Sequence, residues 1–344
     1  MTPQGPVSDE EAANIARRVD FSSVHGARIL LTGAQGMLGN YTAQAILEAS
    51  RLQGFSPASL VAVGRRGQDR TADWAKKFSN FEHQRHLVGF ESDLPTSDVF
   101  LHFASAASPT KYADGPDLWE TNLGGAISGI AGKTTPEKVL FVSSGEVYGA
   151  GSEQGYASGA RERITEPSPR SPYPNSKLAT EFLLRGWNSE NNKSLRIGRV
   201  FHTFGPGLKK DDGRSFGDIL WSASEGKDIR LRSNGSAERN FAYIEDTVVG
   251  LLLLLFCDGA TVTTDIGGQE RLRITEFAQI AASQAGVHVD FEHPTDPAAV
   301  TDVTGSPPPP NTAALEQAGW RCEVSVAEGI RRSLASFATS STRQ

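Results

Sequence analysis

The chain has 344 residues, of which 38% are hydrophobic and 22% charged, enough for one large domain or two modest ones with a substantial core. A formal net charge of −6 and a pI near 5.7 exclude a global basic field for nucleic acid or anionic membrane. Any anionic ligand is therefore held by local Arg, Lys or backbone N–H groups, and two cysteines, Cys257 and Cys322, are too few for a disulfide framework.

In chain order, Ser8 and Glu11 stand at capping-box spacing before a short amphipathic helix, within an N-terminal extension read as residues 1–25. This segment lacks the basic-then-apolar order of a secretion signal, so a cytoplasmic location is expected. From residue 26 to 200, short apolar runs alternate with helix-length segments. The runs are Arg28–Leu31, Leu60–Val63, Val99–Ala104, Val139–Val142 and Leu195–Val200. The helical stretches are Met37–Ser50, Leu118–Ile130 and Ser176–Trp187. That order predicts an α/β fold, a doubly wound parallel sheet of Rossmann type. Residues 201–335 are richer in glycine and proline and read as a smaller C-terminal α/β substrate lobe, partly woven back into the first. Within it, Val248–Cys257 is about half the length needed to span a bilayer and reads as a buried helix. Ser306–Asn311 carries four consecutive prolines and reads as an extended loop; residues 336–344 are expected to form a disordered tail.

The first apolar run leads into Thr32-Gly33-Ala-Gln-Gly36-Met37-Leu38-Gly39, three glycines at three-residue spacing between a strand and a helix. Gly33 suits the tight turn, Gly36 the approach of a pyrophosphate and Gly39 close helix–strand packing. The helix N-terminus then offers free N–H groups to the phosphates. After the second run comes Gly64-Arg65-Arg66, with no acid until Asp69. An acidic residue there commonly bonds the ribose 2′-OH of NAD, whereas two arginines suit the 2′-phosphate of NADP. NAD or NADP is thus expected, NADP slightly favoured, although solvated loop arginines are the alternative.

Tyr173-Pro-Asn-Ser-Lys177 stacks a phenol and an ammonium one helical turn apart. A nearby ammonium and an oxidised nicotinamide both favour the phenolate, lowering its pKa, and it could take a hydroxyl proton as a hydride leaves for the nicotinamide. Pro174 is tolerated in a first turn. Upstream, Val142-Ser143-Ser144-Gly145-Glu146 ends a strand in two serines. Ser144 suits orientation of the reacting oxygen; Glu146 suits proton transfer at a neighbouring carbon, or is a solvated loop acid. No metal site is expected.

Together these residues resemble the extended short-chain dehydrogenase/reductase family of NAD(P)-dependent nucleotide-sugar epimerases, dehydratases and decarboxylases, over about residues 26 to 335. The resemblance also uses His102-Phe-Ala104-Ser105, Asn122, Arg199-Val-Phe-His202-Thr-Phe-Gly205-Pro-Gly207 and Arg239-Asn-Phe-Ala-Tyr243. Asp212-Gly-Arg-Ser-Phe, the Arg239 segment and Ser144-x-Glu146 are most similar to UDP-glucuronate decarboxylases. The resemblance implies catalytic roles for Ser144, Glu146, Tyr173 and Lys177. It implies cofactor contacts for Gly33, Gly36, Met37, Leu38, Gly39, Arg65, Arg66, Ala104, Ser105, Asn122, Tyr173 and Lys177. Substrate contacts are implied for Ser144, for His202, where the family usually has Asn, and for Arg239 at the nucleotide diphosphate. It further implies a homodimer packed through the helices near 118–130 and 176–187, with no nucleic-acid or membrane partner.

Two departures stand out. Gly145 replaces the Asp that 4,6-dehydratases carry before their Glu, and Ile274–Trp320 contains no Lys or Arg, where decarboxylases place a cation for the sugar carboxylate. The expected function is oxidation at C4 of a nucleotide-linked hexose, passing through a 4-keto sugar to epimerisation or decarboxylation. The alternatives are an NADPH-dependent reductase of NDP-4-keto sugars and a non-catalytic dinucleotide-binding protein.

Overall fold

The structure is a computed structural model describing residues 8–64, 81–85, 89, 93–111, 115–131, 135–149, 169–210, 212–291, 307 and 309–341; residues 81–85 and 339–341 are described in backbone only. Its centre is a seven-stranded sheet of β1 (Arg28–Thr32), β2 (Ser59–Gly64), β3 (Phe81–Arg85), β4 (Val99–His102), β5 (Lys138–Ser144), β6 (Ser194–Val200) and β10 (Thr261–Ile266). The spatial order is β10-β6-β5-β4-β1-β2-β3, and every neighbouring pair is parallel. Strand order reverses between β1 and β4, which opens a crevice at the carboxyl ends of those strands.

The apolar runs form strands because alternate residues enter different cores. Ile29, Leu31, Val99, Leu101, Leu140 and Val142 join one cluster. Leu30, Phe100, Val139, Phe141, Leu195 and Ile197 join another on the opposite face. A sheet buried on both faces reads as continuous hydrophobic sequence.

Helix α2 (Met37–Gln53) follows β1, and α5 (Pro172–Asn191) runs between β5 and β6. The stretch expected as one helix near 118–130 is divided into α3 (Gly115–Trp119), a π-helical turn (Glu120–Gly124) and α4 (Gly125–Ile130). A Cβ on Gly129 would lie 2.1 Å from the Phe100 ring, so this segment packs almost backbone-to-sheet.

The second lobe holds two small sheets. One has the order β11 (Arg271–Arg273), β9 (Glu238–Tyr243), β7 (His202–Phe204); the other pairs β12 (Val289–Phe291) with β8 (Ile229–Leu231). Around them lie α6 (Ser215–Ser224), α7 (Ile244–Phe256), α8 (Ile274–Ala285), α9 (Ala313–Gln317) and α10 (Val326–Ser341). Helix α7 contains the run expected to be a buried helix. The lobe also returns β10 to the Rossmann sheet, where it pairs along β6 from Thr261↔Leu195 to Ile266↔Val200.

The expected capping box is present: Glu11 N–H donates to Ser8 Oγ at 3.1 Å, opening α1 (Asp9–Arg17). Glu11 also accepts from Tyr41 at 3.1 Å and from Tyr243, tying α1 to both lobes. The expectation of a disordered tail from residue 336 is corrected. Helix α10 continues to Ser341, and the buried Phe337 ring stacks on Trp221 of α6 with centroids 4.3 Å apart.

Candidate active site

The glycine turn begins as β1 ends. Gly33 has φ +75°, and a Cβ there would lie 2.6 Å from Ala104 N and Phe103 C. Gly36 is the N-cap of α2, and a Cβ on Gly39 would lie 2.3 Å from Gly33 O. The turn therefore presses against the residues that follow β4, with Met37 and Leu38 in the first turn of α2. Gly64, at the end of β2, abuts Gln35 of the same turn; Arg65 and Arg66 lie outside the described residues.

Beside this turn, Thr32 Oγ1 meets His102 Nδ1 at 2.8 Å, and His102 Nε2 lies 3.0 Å from Asn122 O. A carbonyl can only accept, so Nε2 carries the proton and Nδ1 accepts from Thr32. Burial, reinforced by the charge of Lys177, holds the imidazole neutral by lowering its pKa to about 3. The π-helical turn explains why a mid-helix carbonyl reaches His102. On the same residue, Asn122 Nδ2 donates to Ser176 Oγ at 2.9 Å. Among the described residues, Ser105 Oγ, Asn122 Oδ1 and His202 Nδ1 are buried without a hydrogen-bond partner. Orphaned polar atoms beside a cradle that admits only glycine fit a polar ligand spanning the crevice.

The candidate catalytic residues converge at the end of β5. Ser144 caps the 3₁₀ turn Gly145–Tyr148 by accepting from Glu146 N–H at 3.1 Å, which leaves its hydroxyl hydrogen for the Tyr173 phenol. Tyr173 and Lys177 project from the first turns of α5, and both are buried. Lys177 Nζ donates to Val142 O at 2.8 Å and stands 6.0 Å from the Tyr173 ring centroid.

Within the protein alone, the surroundings of the phenol act against the phenolate. Burial and the nearby Glu146 carboxylate push Tyr173 up to about 12, against smaller opposing effects of Arg214 and the Ser144 hydrogen bond. Burial also lowers Lys177 to about 7, so its own positive charge is only partly present at neutral pH.

Beneath the turn runs a buried polar network that the sequence reading missed. Ser143 Oγ donates to Glu181 Oε1 at 2.6 Å, and Arg199 clasps both Glu181 oxygens at 3.0 and 2.6 Å. Arg199 also donates to Tyr148 OH at 2.9 Å, and Tyr148 donates to Asp265 Oδ1 of β10 at 2.8 Å. Glu181 lies four residues beyond Lys177, so a Tyr–Lys–Glu spacing of four was a usable signal.

Across the crevice, the ring of His202 on β7 sits 6.3 Å from that of Phe216 and 6.1 Å from that of Phe241. Burial and the charges of Arg239, Arg214 and Arg271 drive its pKa well down. Arg239 Nη1 donates to Glu238 O at 2.8 Å, and Arg214 pairs with Asp212 at 2.5 Å. Asp212-Gly-Arg214 was visible as a motif, but Arg271 was not. Antiparallel pairing of β11 with β9 sets Arg271 opposite Asn240, and its Nη2 donates to Pro307 O at 3.1 Å. The cation-free stretch 274–320 is thus met at its proline run by a guanidinium from another strand.

A model of the NAD dependent epimerase/dehydratase family matches residues 29–261. The chain belongs to that family. It is an NAD-dependent epimerase/dehydratase of the short-chain dehydrogenase/reductase type. UDP-glucuronic acid decarboxylase 5 of Arabidopsis thaliana is 27% identical over 313 residues, covering 88% of this chain and 87% of that protein. Among solved structures, UDP-glucose 4-epimerase of Thermotoga maritima, with UDP-glucose, superimposes with a TM-score of 0.74 at 19% identity, covering 92% of this chain and all of that one. UDP-glucuronic acid 4-epimerase of Bacillus cereus, in complex with UDP-glucuronic acid and NAD, gives 0.69 at 21%, covering 91% of this chain and 99% of that one. Among the described residues, no helix is long and apolar enough to cross a membrane.

Proposed function

We propose that this chain acts at C4 of a nucleotide-diphosphate hexose, through a 4-keto sugar that is then epimerised or decarboxylated. The observation that carries this reading is the meeting of Ser144, Glu146 and Tyr173 at one strand end, with Lys177 directly beneath. Gly33, Gly36, Met37, Leu38, Gly39, Ala104, Ser105 and Asn122 would hold the dinucleotide, the orphaned Ser105 and Asn122 oxygens supplying acceptors. A nicotinamide, when bound, supplies the hydride acceptor.

The protein's own part is proton handling and placement. Ser144 holds the sugar oxygen against Tyr173, which takes its proton; the Lys177 ammonium, when protonated, favours the phenolate. A ketone at C4 acidifies the neighbouring C–H, and Glu146 on the same turn is the base or acid for that carbon. Arg239, with Arg214 and Arg271 around His202, offsets the charge of the diphosphate.

Incubation with UDP-, GDP-, CDP- and dTDP-sugars, followed by mass spectrometry, tests the reading. Tyr173→Phe is expected to slow turnover by about 10²–10⁴-fold while cofactor binding persists; full turnover by this variant would sink the proposal. Tight cofactor binding without turnover of any of these sugars would instead favour a dinucleotide-binding protein.

A net 4-keto-sugar reductase consuming NADPH is the second reading. It is favoured by Arg65-Arg66, which follow Gly64, the last residue of β2, in the sequence. Fluorescence titration decides it: tighter binding of NAD than of NADP removes its main support. A homodimer through α5 accords with Phe182, which stands 63% exposed on that helix.

A further inference from the structure

The segment ahead of β1 lies outside residues 29–261, yet it is tied to both halves of the molecule. Helix α1 buries Glu11, Ala12, Ala13, Ile15 and Ala16, and three of these join the large core cluster with Tyr41 of α2 and Val248 of α7. An acid on the buried face of a short helix needs donors there. Glu11 has them: Oε2 accepts from Tyr41 OH at 3.1 Å, and Oε1 accepts from Tyr243 OH. Ser8 Oγ also donates to Oε2, at 3.1 Å. Both phenols are buried.

The two tyrosines belong to different binding halves. Tyr41 stands two residues past Gly39, on the helix that the glycine turn opens. Tyr243 ends β9, the strand that carries Arg239, and pairs opposite Phe204, two residues beyond the His202↔Phe241 pair. The rest of the segment repeats this division. Gln53, at the far end of α2, donates to Ala16 O at 2.6 Å and to Val19 O at 2.7 Å. Arg18 donates to Asp246 Oδ1 of α7 and to Arg321 O, each at 2.7 Å. Only at Glu11 does a single side chain hold both halves at once.

We propose that Glu11 is a positioning residue: its carboxylate bridges the cofactor helix α2 and the Arg239 strand β9, so that a ligand spanning both lobes meets the catalytic turn in register. On the keto-sugar reading above, on which this rests, the dinucleotide lies against Rossmann residues alone. A free nucleoside diphosphate likewise needs only Arg239 and its neighbours. A nucleotide sugar needs both lobes at once, its diphosphate held from β9 while its C4 faces Ser144 and Tyr173. Its turnover therefore depends on how the lobes are spaced, and a misplacement of about 1 Å at the reacting carbon costs on the order of 10²-fold in rate. The bridge works through hydrogen bonds, so an amide can replace the carboxylate: glutamine accepts from one phenol and donates to the other.

Glu11→Ala and Glu11→Gln test this with whichever UDP-, GDP-, CDP- or dTDP-sugar wild type consumes, with the matching nucleoside diphosphate, and with NAD and NADP. Glu11→Ala should lower kcat/KM for the sugar by about 10–10²-fold, while Kd for the diphosphate and for the dinucleotide each stay within about twofold. Glu11→Gln should restore most of the turnover. A loss of turnover matched by equal losses of both binary affinities, or a glutamine variant as poor as alanine, would overturn the positioning role. Tyr41→Phe cuts one arm with little change of volume and serves if Glu11→Ala does not fold; wild-type turnover by Tyr41→Phe would equally overturn it. Hydrogen exchange reads the bridge without turnover. Cutting it, by Glu11→Ala or Tyr41→Phe, should speed amide exchange about tenfold in both α2 and β9, the factor one such hydrogen bond is worth. Faster exchange confined to α1 would overturn the bridge. If wild type consumes no nucleotide sugar, the keto-sugar reading fails instead, and exchange still decides the bridge.

Discussion

Replacing Glu245 by glutamine should abolish a loss of stability that wild type suffers between about pH 4.5 and 7. Glu245 is buried near the start of α7, 3.0 Å from Arg332 and close to Asp246 and Glu11. Burial raises its pKa from 4.5 to about 7, outweighing the opposing pull of Arg332. The folded state thus holds a proton that the unfolded chain releases, so stability falls as pH rises through that window. At about 1.4 kcal/mol for each pH unit, the full span is worth roughly 3 kcal/mol. That corresponds to about 6 °C in Tm for a chain of this size. Thermal melts of wild type and Glu245→Gln from pH 4.5 to 8 supply the readout. Near pH 4.5 the neutral carboxyl and the amide are almost isosteric, and the two proteins should melt close together. By pH 7.5 the variant should have gained about 6 °C on wild type. Curves that run parallel across the range would refute the argument that desolvation dominates Arg332 at this site.

Three further outcomes follow from the geometry. Gly33→Ala forces a left-handed conformation on a residue whose Cβ meets the backbone after β4, and should cost about 3 kcal/mol in chemical denaturation, with weaker dinucleotide binding in titration. Arg199→Met leaves the buried Glu181 carboxylate only Ser143 and the more distant Arg185, 3.7 Å away, and should cost about 3 kcal/mol, whereas Glu181→Leu/Arg199→Met should recover most of it; an equally unstable double variant would contradict the account. For the proposed dimer through α5, Phe182→Lys should shift sedimentation toward the monomer, and an unchanged sedimentation coefficient would remove α5 as the interface.

The Rossmann half was legible because its strands are buried on both faces and so appear as uninterrupted apolar runs. β1, β2, β4, β5 and β6 all fell within the expected segments or a few residues of them. β3, a polar edge strand reading Phe-Glu-His-Gln-Arg, gave no such signal, and neither did the threonine-rich β10. The Tyr173–Lys177 pair and Ser144 could be read from spacing because a helix and a strand end place them locally. Arg214 and Arg271 reach His202 only through tertiary approach, and Glu181 meets Arg199 only where α5 crosses β6. The burial that raises the Tyr173 pKa within the protein alone was not legible for a related reason: burial depends on what surrounds a side chain, and sequence spacing records only its neighbours along one helix.

The return of β10 to the edge of the main sheet has a bearing on how such proteins can be recombined. A chimera spliced at residue 201 would carry away the strand that covers β6, leaving Leu195–Val200 with unsatisfied amides and carbonyls along one side. It would also uncouple Asp265 from Tyr148 and so loosen the support of Glu146. Grafting a new second lobe onto this Rossmann half therefore requires a donor whose own returning strand matches β6 in register, so the lobe is not a self-contained cassette.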